Sequence, residues 1–322
     1  MTGMAGGVAI EISKLVKRYG STAAVDGLDL TIQQGEVFGL LGPNGAGKTT
    51  TLKIMTTLLR PTSGAVTVLG HDVVAEADAV RQLIGYVPQE RAVDRLLTAR
   101  EHLELFADLY HLSPAVAAPR IQEALRLVDL ADRVNDSVGK FSGGMKKRVE
   151  IACGLLHDPK ILFLDEPTLG LDVQSRSQVW NHIRALKQRG MTVVINSNYL
   201  EEADQLCDRL AIIDRGRLRA LGSPRELKRG LGGDIVTVAL EKAVAQPQQL
   251  RQALQSIDGV REVSVDGTSA RLALARETGL SAIVEQVRQA GGELQAVHYT
   301  HPTLEEVFVH YTGHKIREEE IQ

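Results

Sequence analysis

The sequence predicts a two-domain α/β chain: a mainly parallel sheet flanked by helices, then a smaller α+β unit. Three observations lead there. Apolar strand patterns alternate with helical ones from residue 8 to residue 230, the order a parallel sheet requires. A glycine-rich run, Gly42-Pro43-Asn44-Gly45-Ala46-Gly47-Lys48-Thr49-Thr50, joins an apolar strand at 37–41 to a helical stretch at 50–55. After Gly230-Leu231-Gly232-Gly233, a candidate linker, the texture changes to a β-α-β-β-α-β order, that of a small ferredoxin-like unit. The expected divisions are a flexible start at 1–7, a large domain at 8–230, a small one at 234–313 and a charged tail at 314–322.

Composition narrows the function classes. The net charge is −3 over 322 residues, so no global basic field argues for nucleic acid. The two cysteines, Cys153 and Cys207, lack metal-ligand spacing and sit in apolar helical patterns. Buried free thiols in a reducing compartment are expected. No apolar run approaches the roughly 20 residues of a membrane span. The start lacks the basic and apolar regions of a signal peptide. The expected location is the cytoplasm, unless a partner takes the chain to a membrane.

Along the large domain, 8–15 and 28–32 read as strands flanking a turn at Asp26-Gly27. Pro61-Thr62-Ser63-Gly64 turns into a strand at 65–69, and a short strand at 84–87 ends at Pro88-Gln89. From 97 to 156 the pattern is mostly helical, with breaks at Pro114, Pro119 and Gly139. Strands return at 161–164, 192–195 and 210–213, with a helix at 177–188. In the small domain 235–240 alternates like a strand, and Leu250, Ala253, Leu254 and Ile257 share a helix face. Asp266-Gly267 joins strands near 263–265 and 272–274 in a tight hairpin. A second helix carries Ile283, Val284, Val287 and Ala290, and a strand runs 294–299. A last helix opens at Pro302 with Leu304, Val307, Phe308 and Tyr311 as its stripe, suited to docking on a neighbour.

The glycine-rich run fits G-x-x-x-x-G-K-[ST] in its strand–loop–helix context. Its glycines let the backbone wrap phosphate oxygens with N–H groups pointing inward, and the helix N-terminus adds a favourable dipole. Lys48 is expected to reach the β- and γ-phosphates, and the Thr49 hydroxyl to hold Mg²⁺. By itself this implies only a nucleoside triphosphate. Ile161-Leu162-Phe163-Leu164-Asp165-Glu166 adds an apolar strand ending in two acids. Asp165 suits Mg²⁺, directly or through water, and Glu166 suits a general base that polarises the attacking water. Phe141-Ser142-Gly143-Gly144-Met145 precedes a helix; Ser142 is a good N-cap and the glycines expose backbone donors. Lys146, Lys147 and Arg148 follow in the first turn and oppose the helix dipole. A docked anion eases that conflict; a basic solvated face is the plainer account of the charges.

This combination resembles the ATP-binding-cassette ATPases over roughly 8–230. Ser142-Gly143-Gly144 is similar to the family's LSGGQ signature, with Phe141 for Leu and Met145 for Gln. The resemblance implies a P-loop cassette with a mainly parallel core, an antiparallel β subdomain and a helical signature subdomain, with ATP and Mg²⁺ as cofactors. It places Gln89 at the Q-loop glutamine, which senses Mg²⁺ and the attacking water and couples to the membrane subunit. Leu169-Gly170-Leu171-Asp172 resembles the D-loop, with Asp172 at the dimer contact. Tyr19 matches the aromatic that stacks on adenine, and Val25 the apolar residue beside it; alone, Tyr19 reads as a strand-end aromatic. The resemblance further implies a head-to-tail homodimer. Each ATP then lies between the P-loop of one copy and the Ser142 helix of the other.

One position departs from the family. Where a histidine usually contacts the γ-phosphate, aligning Tyr199 to Asp204 places Asn198. An amide donates a hydrogen bond but carries no proton near neutral pH. Slower turnover and a tolerated variant without kinetic penalty both stay open.

The small domain, closing with Thr303-Leu304-Glu305-Glu306-Val307-Phe308-Val309-His310-Tyr311-Thr312-Gly313, resembles the tail of the daunorubicin-resistance-type ATP-binding subunits. That branch implies an exporter whose pathway is a separate integral-membrane permease, with this chain peripheral on the cytoplasmic face. Drug, antibiotic or lipid-like cargo is the implied class. Arg91, Asp94 and Arg95 lie where such subunits receive the permease, though each also reads as surface charge. The alternatives are a soluble non-transport cassette ATPase or a low-turnover nucleotide sensor. A P-loop GTPase is disfavoured by the lack of a guanine-specificity motif.

Overall fold

The computed structural model describes residues 7–90, 93–231, 234–244, 246–274, 280–300 and 302–313. Arg91, the linker glycines at 232–233 and the tail at 314–322 lie outside the described residues. The chain divides into two units between Leu221 and Gly222.

The first unit opens with β1 (Val8–Tyr19) and β2 (Thr22–Gln33), an antiparallel pair. Their turn is at Gly20-Ser21 and not at Asp26-Gly27. Asp26-Gly27 is instead a bulge inside β2: Leu15 pairs with Leu28 and Val16 with Asp26, leaving Gly27 as the extra residue at φ 72°. Then come β3 (Val37–Leu41), α1 (Lys48–Met55), β4 (Ser63–Val68) and β5 (His71–Asp72). Strands β2-β1-β4-β5 form one sheet, antiparallel at every pairing.

Next are α2 (Ala77–Leu83), β6 (Ile84–Val87), α3 (Ala99–Leu109), α4 (Pro114–Leu127) and α5 (Gly143–Leu155). Pro119 does not break α4. The helix runs through it, forgoing one backbone bond, while Pro114 occupies its first turn, where no donor is needed. The unit closes with β7 (Ile161–Asp165), α6 (Val173–Gln188), β8 (Thr192–Asn196), α7 (Leu200–Leu206), β9 (Arg209–Asp214) and β10 (Arg217–Gly222).

The main sheet has the order β10-β9-β3-β8-β7-β6, and the pairings from β9 through β6 are parallel. Every residue of β3, β7 and β8 is buried. Parallel strands covered on both faces demand such continuous apolar runs, and they supply them. A core through Ile10, Leu28, Phe38, Leu52, Phe163 and Ile213 ties the antiparallel sheet to the main one.

The second unit begins with α8 (Pro224–Gly230), opened by a Ser223–Glu226 capping box. It continues with β11 (Ile235–Leu240), α9 (Pro247–Gln255), β12 (Val260–Asp266), β13 (Ser269–Leu274), α10 (Leu280–Gln289), β14 (Leu294–Thr300) and α11 (Leu304–Thr312). The sheet order β12-β13-β11-β14 is antiparallel throughout, the ferredoxin-like arrangement. Val236, Val238, Leu250, Leu254, Leu272, Ile283 and Val287 form its own core. Helix α11 starts from Thr303 as N-cap and packs on α8, so α8 counts with this unit.

Candidate active site

Three neighbouring parallel strands, β3, β8 and β7, deliver the candidate residues at their C-terminal ends. That edge is where open α/β sheets place ligands. The glycine-rich loop follows β3, Asn198 follows β8, and Asp165-Glu166 closes β7. Together they border a cleft of 440 Å³ lined by Ala24, residues 44–50, Gln89, Glu166, Leu169, Asn198 and Tyr199. A second cavity, of 490 Å³, lies at the opposite strand ends beside Lys160 and Thr192. Of its cations, Arg189 pairs with Glu123 at 2.9 Å, Lys160 pairs with Asp158 at 3.4 Å, and Arg120 Nη1 donates to Leu156 O at 3.2 Å.

Helix α1 begins directly from the loop, with Gly47 as N-cap at φ 101°. Lys48 Nζ donates to Gly42 O at 2.7 Å, to Pro43 O at 3.3 Å and to Asn198 Oδ1 at 2.9 Å. Burial pulls the Lys48 pKa down, and the charges of Glu166 and Asp165 oppose that pull. Asn198 Nδ2 donates to Asn44 Oδ1 at 3.2 Å, and the Asn198 backbone N–H donates to Glu166 Oε2 at 3.1 Å. Asn198 therefore bridges the lysine, the loop and the acid.

Glu166 sits at φ 48°, a left-handed conformation that a non-glycine residue seldom adopts. Its N–H donates to Asn196 O at 2.8 Å, which holds the chain turned off β7. Burial pushes the Glu166 carboxyl up to about 7. A general base works best near the operating pH, and this value meets that condition.

Asp165 is buried beside β8, where it pairs in register with Asn196. Asn196 Nδ2 donates to Asp165 Oδ1 at 2.5 Å and to Thr49 Oγ1 at 3.3 Å. The hydroxyl and the carboxylate thus lie side by side, with Gln89 lining the same cleft. Oxygen donors of this kind, completed by phosphate oxygens, suit a hard divalent cation. Sequence reasoning did not single out Asn196. The available signal was a polar residue ending an apolar strand that neighbours the acidic one.

Two expected contacts change. Val25 is fully buried under the loop, within 3.5 Å of where a Gly47 side chain would begin, and it does not line the cleft. Ala24 lines the cleft instead. Lys147 and Arg148 are not a solvated face awaiting an anion. Lys147 Nζ pairs with Glu150 Oε2 at 2.6 Å, and Arg148 Nη1 donates to Val128 O at 3.0 Å. Tyr19 ends β1 and is 53% exposed, with Lys17 Nζ 5.3 Å from its ring centroid.

Ser142 caps α5, accepting from the Met145 N–H at 3.2 Å. Asp172 caps α6, accepting from Ser175 N at 2.8 Å and Ser175 Oγ at 2.7 Å. The two caps are joined by close packing: a Cβ on Gly144 would fall 2.6 Å from Ser175 Cβ. Neither Ser142, Gly143, Gly144 nor Asp172 lines the loop cleft of its own chain.

Residues 25–169 match the ABC transporter family model, and residues 222–312 match the model for the C-terminal domain of DrrA1-3-like ATP-binding proteins. The daunorubicin resistance ATP-binding protein DrrA3 of Streptomyces coeruleorubidus is 46% identical over 95% of this chain and 96% of its own length. The chain belongs to the ABC transporter ATP-binding proteins. Within that family it is also 35% identical to the linearmycin resistance ATP-binding protein LnrL of Bacillus subtilis, over 96% of this chain and all of the relative. Among solved structures, the ATP-binding subunit of an ABC transporter aligns with TM-score 0.62 at 31% identity, over 70% of this chain and 93% of that one. The dimeric post-hydrolysis cassette MJ0796, bound to ADP and Pi, aligns with TM-score 0.59 at 28% identity, over 66% of this chain and 98% of that one. This ABC subunit is accordingly a P-loop ATPase that hydrolyses ATP. Among its described residues no helix is long and apolar enough to cross a membrane.

Proposed function

We propose that this ABC subunit works as a head-to-tail homodimer that drives export through a separate integral-membrane permease, from the cytoplasmic face. Drug-like or lipid-like molecules are the proposed cargo, supported by relatives named for daunorubicin and linearmycin resistance. The observation that carries the dimer is the separation just described. The Lys48 cleft and the Ser142 helix of one chain do not meet, so a second copy is needed to bring a signature over each cleft.

In this reading the residue 42–50 loop and Lys48 hold the ATP phosphates, and Tyr19 stacks on the adenine. Thr49, Asp165 and Gln89 would hold Mg²⁺, which neutralises phosphate charge when bound. Glu166 takes a proton from the attacking water. Asn198, already on Lys48 and on the Glu166 carboxylate, orients that water against the γ-phosphate. Ser142, Gly143 and Gly144 of the second copy complete the phosphate contacts, and Asp172 lies at the contact between copies.

The test is co-purification of Glu166→Gln from native membranes with Mg-ATP, followed by mass spectrometry. A stoichiometric multi-span membrane protein supports the proposal. Recovery only as a soluble dimer, or with ribosomes or DNA, overturns the export role.

A further inference from the structure

We propose that Lys147 is a positioning residue that locks the signature helix to the Gln89 loop of the same chain. Through it, events at one nucleotide cleft reach the signature that completes the other. The inference rests on the head-to-tail dimer proposed above.

Strand β6 ends at Val87, and the next carbonyl, Pro88 O, accepts from Lys147 Nζ at 3.2 Å. The same ammonium lies 2.6 Å from Glu150 Oε2, with the two side chains only 8% and 3% exposed. A buried lysine is costly unless its charge and donors are satisfied. Glu150 meets the charge, and Pro88 O takes a further donor. Gln89, the next residue, lines the ATP cleft.

A second contact fixes the same two elements. A Cβ on Gly85 would fall 2.2 Å from Gly154 O, so α5 lies directly on β6 there. The spacings match. Seven helical residues from Lys147 to Gly154 rise about 10.5 Å. Three strand residues from Gly85 to Pro88 span about 10 Å. Helix and strand therefore run antiparallel, pinned at both ends of the shared length. The N-terminal end of that helix carries Ser142, Gly143 and Gly144.

The consequence is mechanical. A shift of Gln89 toward bound nucleotide drags Pro88 O, and with it the start of α5. That start is the surface offered to the partner's ATP. Lys147 acts only through Pro88 and α5, so its loss leaves nucleotide binding intact and removes the coupling between clefts.

The variants are Lys147→Met with Glu150→Gln, which removes the ion pair without leaving a lone buried charge, and Lys147→Arg, which keeps charge and donor. Both are measured in the full-length protein for Mg-ATP affinity, hydrolysis against ATP concentration, and thermal midpoint. For the double variant we expect unchanged nucleotide affinity and loss of cooperativity, with kcat falling about tenfold, as for a charge-assisted hydrogen bond. Lys147→Arg retains cooperativity. A folded double variant with wild-type kcat and cooperativity overturns the proposal. So does a loss of affinity in proportion to kcat, which would mark Lys147 as merely structural. Sedimentation of Glu166→Gln with Mg-ATP separates the two ideas. Absence of an ATP-driven dimer there removes the dimer reading and this inference together. A dimer that forms while cooperativity survives without Lys147 removes only the inference.

Discussion

Replacing Asn198 by histidine should accelerate ATP hydrolysis. Asn198 Oδ1 lies 2.9 Å from Lys48 Nζ, its Nδ2 lies 3.2 Å from Asn44 Oδ1, and its N–H holds Glu166 Oε2 at 3.1 Å. The side chain thus already stands among the groups proposed to hold the γ-phosphate and its attacking water. Hydrogen bonds to a charged group such as phosphate are worth about 1.5–3 kcal/mol, and a cationic donor stands about 1 kcal/mol higher in that range than a neutral amide. The difference, about 1 kcal/mol in the transition state, is roughly fivefold in rate. An imidazole is cationic below its ordinary pKa and neutral above it. The gain should therefore be larger at about pH 6 than at about pH 8, on either side of the ordinary histidine value. The assay is phosphate release at saturating Mg-ATP, for wild type and Asn198→His, at both pH values. Equal rates at both would refute the claim that the amide limits turnover. Asn198→Ala supplies the lower bound, because it keeps the backbone bond to Glu166 and loses both side-chain bonds.

Glu166→Gln should lower kcat by about 10²–10⁴-fold, the usual contribution of a general base, with Mg-ATP affinity retained in a binding titration. Gly144→Ala places a methyl 2.6 Å from Ser175 Cβ and should cost about 1–3 kcal/mol in thermal or urea unfolding, partly recovered by adding Ser175→Gly. Glu202 is fully buried and accepts from Thr168 Oγ1 at 2.7 Å and Trp180 Nε1 at 3.1 Å. Burial holds its carboxyl above the ordinary value of 4.5, against the hydrogen bonds from Ser197, Thr168 and Trp180 and the charge of Arg176, which all favour the carboxylate. The folded state keeps a proton that the unfolded state loses, so the stability from Glu202 is complete below 4.5 and is lost as pH rises through the folded pKa. Glu202→Gln keeps an acceptor for both donors and should flatten that decline in pH-dependent unfolding, whereas Glu202→Ala strands both and should cost about 2–5 kcal/mol.

The nucleotide cleft was legible because its chemistry sits in short continuous runs. The P-loop, the two acids at the end of β7 and Asn198 each stand at the end of a strand whose apolar pattern marks it, and the parallel order brings those strand ends together. What was not legible depends on pairs distant in sequence. Asn196 gains its place only because β8 pairs with β7 in the register that sets it opposite Asp165. Lys147 and Arg148 look like a solvated basic turn until the Pro88 and Val128 carbonyls are seen to accept from them. Val25 fails for a different reason. It lies three residues from Leu28, so strict alternation puts the two on opposite faces. The extra residue at Gly27 reverses the phase, and both point into the core.

Glycines in the motifs divide by what they are for, and their spacing in sequence does not reveal the division. Gly45 and Gly47 adopt positive φ and shape the phosphate loop itself. Gly42 does not. A Cβ there would fall 2.2 Å from Ile213 O on β9. The first glycine of the phosphate motif is thus demanded by a neighbouring strand, so Gly42→Ala should disturb the loop by displacing β9. Gly144, in the signature, is demanded by α6, whose cap is Asp172. Gly85 and Gly154 let α5 rest on β6. The signature helix is therefore pressed on one side against the helix that Asp172 caps and on another against β6, the strand that leads to Gln89. A helix held by backbone contact on two sides has little freedom to move alone. Under the coupling proposed above, nucleotide-driven motion carries Asp172, Ser142 and Gln89 together, which is the arrangement that the Lys147 experiment interrogates.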